Sequence, residues 1–302
     1  MRQDPFGQPG GRQQYGQAPQ RRGFNLGNLR WLILLGFVVY GGCYYFGNRS
    51  VDPYTGESVL IDSSIGPEQE RAMGLQAYQE ILAQERPLPK SDPSAQQIEE
   101  IARRLIAKVP EVTAEVAAGH GLPAPEHWRD FEWDVNVIPS PQANAFCLPG
   151  GKMAVYTGLV PVAQTQDAMA VVMGHEIAHA LLRHGAQRMS QQKLAQIGQM
   201  AVATGIDPQY QEMAKAAMGY GYLLPYARAH ETQADEIGLM LAAAACYDPN
   251  EAIGLWQRMS EASGGQAPPE FSSTHPNPGT RIQTLQSLMP KAMEYRQKFC
   301  RQ

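Results

Sequence analysis

Gly174-His175-Glu176-Ile177-Ala178-His179 is the stretch whose reading decides the fold. Two histidines four residues apart on a helix lie ~40° apart around its axis, one turn above the other. Both imidazoles then reach one metal ion, and Glu176, beside the first, reaches a water on that metal. The surroundings carry the argument further than the pattern alone. Between Ala168 and Leu182 the chain holds Met169, Val171, Val172, Met173, Ile177 and Leu181, so this helix is expected to be buried on most sides. Buried polar side chains are costly unless paired. Three of them within two turns call for a shared partner, and a single Zn2+ suits an imidazole pair.

A catalytic zinc takes three protein ligands and keeps one position open. His184 lies nine residues after His175, about half a turn away on a continuous helix, so it is expected to face off the metal. It reads instead as a helix-end residue favoured by the dipole. The better candidate sits in Arg228-Ala229-His230-Glu231-Thr232-Gln233-Ala234-Asp235. Glu231 and Asp235 stand one turn apart on a second helix that runs on into Ile237, Leu239 and Leu241. Glu231 as third ligand, with Asp235 accepting from a ligand histidine, gives both carboxylates a partner. His230, about 100° off the Glu231 face, is the alternative. His120 and His127 read as surface histidines.

Outward from the site, a chain of 302 residues with 43% hydrophobic content can bury one substantial core. The net charge of −4 divides unevenly: residues 1–30 carry +4 and the remainder −8. The arginines sit in a Gln/Gly/Arg-rich tail that reads as disordered, so no folded basic face for nucleic acid is expected. Residues 31–47 (WLILLGFVVYGGCYYFG) are uncharged and just long enough to span a membrane, with Trp31 and Tyr44, Tyr45 and Phe46 at the two interfaces. An uncleaved anchor fits better than a lipoprotein signal ending at Cys43, because Tyr40 stands where such a signal has an aliphatic residue. Arg21, Arg22 and Arg30 outnumber Arg49, which places the N-terminus in the cytoplasm and everything after residue 48 outside it. Cys147, Cys246 and Cys300 then face an oxidising compartment. A Cys246–Cys300 bridge is one pairing among those three, and the sequence does not choose.

Residues 48–62 read as a turn-rich linker and 63–300 as the folded domain. Helices are expected from Ser63 to Gln84 and from Asp92 until Pro110 closes the second, with a half-buried strand over Phe131–Ile138 and strand-turn-strand over Asn144–Tyr156. An outer strand left open would take an extended peptide, which makes Asn144, Ala145 and Phe146 candidate substrate-binding residues. Thr165 or Asp167 offers the N-cap of the signature helix. Near the C-terminus, Pro276 and Pro278 stiffen the backbone beside His275. Arg281 opens a final helix, where a cation is disfavoured unless it meets an anion: a carboxylate of the site, or an oxyanion. The fold class is α+β, mostly helical with a small sheet, preceded by one transmembrane helix.

His175-Glu176-x-x-His179, Glu231-x-x-x-Asp235 and His275-Pro276 followed by Arg281-Ile282, in that order, resemble the zinc metallopeptidase family of the HtpX heat-shock protease and the CaaX prenyl protease. The likeness is greatest to its single-domain BepA, LoiP and Oma-type members and covers roughly residues 63–290. It implies a zincin-type (gluzincin) endopeptidase in which His175, His179 and Glu231 bind zinc and Glu176 is the general base. It also implies that His275 and Arg281 stabilise the oxyanion, and that Gly205–Leu224 covers the active site. Ala227 departs from the pattern, where many relatives have Ser. The substrates implied are unfolded or misassembled envelope proteins, cleaved on the outer side of a bacterial inner membrane. The alternative is a chaperone-like assembly factor with a plugged zinc site.

Overall fold

A computed structural model describes residues 26–219, 223–262 and 281–300. His275 lies outside them. Helix α1 (Leu26–Gly47) leads into strands β1 (Arg49–Val51) and β2 (Ser58–Leu60), paired antiparallel. The stretch expected to be a linker is therefore a hairpin. Asp52 closes its turn by accepting from the amides of Tyr54 and Thr55 at 2.7 and 3.3 Å, and Gly56 supplies the positive φ the return needs.

Helices α2 (Pro67–Gln84) and α3 (Pro93–Ala107) follow, the latter capped by Asp92, which accepts from Ser94 and Ala95. Pro110 does not simply end α3. It sits in the first turn of α4 (Val109–Gly119), where its missing N–H costs nothing. Strands β3 (Asp134–Ile138), β4 (Ala145–Leu148) and β5 (Lys152–Tyr156) form a sheet of order β3-β5-β4. The β3–β5 pair is parallel and the β4–β5 pair antiparallel, so β4 is an edge.

A short α5 (Val160–Ala163) leads to α6 (Gln166–Leu181), the signature helix, whose cap Thr165 accepts from the Ala168 amide at 3.1 Å. It is buried nearly all round. Then come α7 (His184–Gly205), α8 (Pro208–Met218), α9 (Leu224–Ala244), α10 (Glu251–Ala262) and α11 (Arg281–Phe299). A Cys246–Cys300 disulfide ties the end of α9 to the end of α11, while Cys43 and Cys147 are free thiols.

α6 and α9 cross backbone against backbone. A Cβ on Gly174 would lie 2.6 Å from the Gly238 carbonyl oxygen, and one on Gly238 would lie 2.5 Å from the His175 amide nitrogen. Neither neighbour is a flexible side chain that could swing aside. Gly238→Ala must therefore part the two helices, and we expect a loss of about 1–3 kcal/mol or more, the usual cost of overpacking. Denaturant unfolding together with zinc content checks this; unchanged stability with full zinc would show that the crossing tolerates a methyl group.

Candidate metal centre and cleft

His175 and His179 stand one turn apart on α6 with their rings edge to face, and Glu231 comes from α9 across the glycine contact. The His175 and His179 Nε2 atoms lie 3.0 Å apart. Glu231 places Oε2 3.4 Å from the first and Oε1 3.5 Å from the second. Donors on a tetrahedral zinc with bonds of ~2.0–2.1 Å stand ~3.3 Å from one another, so the spacing and the N/N/O donor set both fit that ion. All three residues are buried and offer ligand atoms within 4.8 Å of one another. Two imidazole lone pairs facing each other at such a distance repel unless a proton or a cation lies between them.

Neighbouring groups fix which ring nitrogens are open. His175 Nδ1 donates to Asp235 Oδ1 at 2.9 Å, because a carboxylate can only accept. Its Nε2 is thereby left as a lone pair toward the shared centre. Burial opposes charge on His175, but its hydrogen bonds to Asp235 and Glu231 outweigh it and push the pKa up to about 9. The same pull would favour a divalent cation. Arg281, 2% exposed, donates to Asp235 Oδ1 at 2.5 Å and to Glu231 Oε2 at 3.4 Å. Its guanidinium carbon lies 3.4 Å from the centre of the Trp256 ring. The cation at the start of α11 thus meets carboxylates of the site, and it is not among the residues lining the cleft.

His184 is where the structure departs from the reasoning on sequence. α6 does not continue to residue 184: Arg183 takes the left-handed conformation, φ 55°, and a new helix begins. That break swings His184 back against the metal centre, with its Nδ1 2.7 Å from His179 Nδ1. It opens α7 rather than ending α6, and it is buried, so it is no exposed cation at a C-terminus. Burial, and next the nearby His230, hold its pKa well below the ordinary value, which keeps the ring neutral. Neutral His184 accepts the His179 Nδ1 proton and donates its own Nε2–H to Gln233 Oε1 at 3.1 Å. Gln233 passes the chain on to Glu57 at 3.1 Å.

His230 does not join the donor cluster. It donates to Gln187 Oε1 at 3.1 Å and stacks on His184 with ring centres 4.2 Å apart. Burial lowers its pKa to about 4. His127, expected at the surface, is half-buried and donates to the Leu181 carbonyl at 2.9 Å, closing the C-terminus of α6. His120 is exposed, as expected.

The cleft is lined by Asn144, Ala145 and Phe146 on one wall and by Glu176, His179 and Arg188 on the other. Glu176 is buried within it at 3% exposure. The edge strand β4 therefore runs alongside the metal centre, as the sequence led us to expect. Asp235→Asn and His184→Ala should each weaken zinc binding by roughly 10–100-fold, the usual effect of removing a group that orients a ligand. His230→Ala, which touches no donor, should leave affinity near wild type. Competition with a chromophoric chelator measures all three, and an unchanged affinity for His184→Ala would show that its contact with His179 is idle.

Residues 104–289 match the Peptidase family M48. The chain is 33% identical over 264 residues to mitochondrial metalloendopeptidase OMA1 of Schizosaccharomyces pombe, covering 86% of this chain and 72% of that protein. It is 31% identical to human mitochondrial metalloendopeptidase OMA1, over 90% of this chain and 52% of the human one. The beta-barrel assembly-enhancing protease of Yersinia pestis is 28% identical over 48% of this chain and 32% of its own. Two buried histidines and a glutamate converging from glycine-locked helices beside an open strand, together with these matches, place the chain in peptidase family M48 as a metalloendopeptidase of the HExxH type.

Proposed function

We propose that the chain is a membrane-anchored, zinc-dependent endopeptidase holding one Zn2+ through His175, His179 and Glu231, with Glu176 as general base. The convergence of those three donors in a cleft that also contains Glu176 carries the reading. Bound there, zinc would supply Lewis-acid polarisation of the scissile carbonyl and of the attacking water. Glu176 takes the proton of that water and delivers it to the leaving amine. Asp235 and His184 hold the two ligand imidazoles in the tautomer that leaves Nε2 open. Arg281 holds Asp235 and Glu231 in place, a positioning role rather than direct contact with the oxyanion. An extended peptide pairs with the free edge of β4, so that Asn144, Ala145 and Phe146 align its backbone with the site.

We place the anchor in a bacterial inner membrane, the N-terminus inside and the catalytic domain outside. α1 offers a 19-residue apolar span, Leu29–Gly47, near the N-terminus. The Cys246–Cys300 disulfide fits an oxidising compartment on the domain side. Unfolded or misassembled envelope proteins are the proposed substrates, in line with the name of the Yersinia relative.

Glu176→Gln removes the proton acceptor and no ligand. Zinc content and thermal stability should stay at wild-type levels while cleavage of an unfolded model protein falls at least ~10²–10⁴-fold. Cleavage at the wild-type rate would end the assignment of Glu176. A wild type inert toward every unfolded substrate would favour an assembly factor instead.

A further inference from the structure

The anchor does not stand apart from the domain, because α7 runs antiparallel along it. At one end Arg30 donates through Nε and Nη2 to the carbonyls of Thr204 and Gly205 at 2.7 and 2.9 Å. Next, a Cβ on Gly205 would meet Leu34 at 2.7 Å, and one on Gly41 would meet Ile197 at 3.4 Å. At the other end the Tyr44 hydroxyl donates to the Ser190 carbonyl at 3.4 Å. From Arg30 to Tyr44, and from Gly205 back to Ser190, each helix advances roughly 21–23 Å, so the two stay in step. That is most of a ~30 Å hydrocarbon layer. Whatever lies beside a spanning helix over that distance lies at its depth.

The sequence of α7 agrees. Between Lys193 and Asp207 no residue is charged. Its backbone groups are satisfied within the helix, as a bilayer requires. α8 returns from the tip with Met218 against Gly198, and its two charges pair as Lys215–Glu212 at 2.7 Å. Met200 and Met213 are 54% and 66% exposed. Between α1 and α7 an apolar groove, lined by Phe37, Val38, Leu194, Ile197 and Met218, stays open. Acyl chains match that surface, and water does not. Gln196 and Gln199 are exposed on α7, and within a bilayer their amides must turn to a second helix or a water-lined cavity.

We propose that the α7–α8 hairpin is inserted in the bilayer beside α1, as a second intramembrane element. Its tip at Asp207 reaches the interface on the side of the anchor's N-terminus, and lipid acyl chains fill the groove. The inference rests on α1 spanning the membrane as proposed above.

Single added cysteines in the full chain, in a Cys43→Ala, Cys147→Ala background that keeps the Cys246–Cys300 disulfide, test it in sealed vesicles with a membrane-impermeant maleimide. Ser58→Cys should label from the domain side. Leu29→Cys and Gln209→Cys should label only from the opposite side. Met200→Cys, with Met213→Cys as a second reporter on α8, should react at least ~10-fold more slowly from either side until detergent is added. Met200, Met213 and Gln209 cysteines labelling with Ser58→Cys, while Leu29→Cys labels from the far side, would leave the anchor standing and overturn the inserted hairpin. Labelling of all positions from one side would remove the anchor and the hairpin together.

Discussion

The metal centre depends on a contact that contains no ligand at all. Gly174 and Gly238 bring the backbones of α6 and α9 to a separation at which a single added methyl would stand 2.5–2.6 Å from the opposing main chain. Gly174 immediately precedes His175, and Gly238 follows Asp235 by three residues, so the point of closest approach sits beside the donors. Only at that separation can Asp235 reach His175 Nδ1 at 2.9 Å while Glu231 reaches both Nε2 atoms. Side chains of two or three rotatable bonds do not stretch to make up a lost ångström. The spacing of the helices is therefore the spacing of the ligands.

Given that crossing, the polar residues in the core are solvable only as a set. Glu231 and Asp235 are buried together with His175 and His184, and each would be costly alone. Arg281 supplies a fixed positive charge, its flat guanidinium filling the space against Trp256 that a lysine would leave empty. Asp235 then dictates the proton of His175, and His184 that of His179. Gln233 accepts from His184 through Oε1 and donates to the Glu57 carboxylate through Nε2, which fixes the orientation of its amide. Directionality runs from the periphery inward and leaves the two Nε2 lone pairs where a cation is wanted.

Much of this was legible in the sequence, because it follows from local periodicity. The i, i+4 spacings of His175/His179 and Glu231/Asp235 placed donors on helix faces, and Thr165 and Asp92 announced a cap and a helix start. Arg281 was legible too, as a cation at a helix N-terminus in need of an anion. What failed was the assumption that a helix continues. Arg183 has no turn-forming character, and its left-handed backbone is a tertiary outcome: its guanidinium is held by Glu70 and the Ile65 carbonyl. Those partners lie more than a hundred residues away, so no local pattern foretells the break or the return of His184. The disulfide pairing and the docking of the β1–β2 hairpin were hidden for the same reason. The proline rule misled at Pro110, which marks a helix start as readily as a helix end.

The strained residue has a wider consequence. A left-handed non-glycine costs of order 1–3 kcal/mol, and it persists only where its surroundings over-determine it. Here the buried Glu70 does so, through an ion pair with Arg183. The same turn that brings His184 to His179 also sets the direction in which α7 departs. Six residues on, about 9 Å along the axis, Ser190 meets Tyr44 on α1 and donates its hydroxyl to the Ala186 carbonyl while accepting from the Asp62 amide. Lys193 adds an ion pair to Asp62 at 2.6 Å. One rigid helix thus begins in the catalytic cleft and ends against Arg30 at the far end of α1. The height of the cleft above the anchor is fixed by α7 itself, not by the length of the segment that follows the span. A change in that segment would alter the hairpin that caps the joint, whereas a change in α7 would move the cleft.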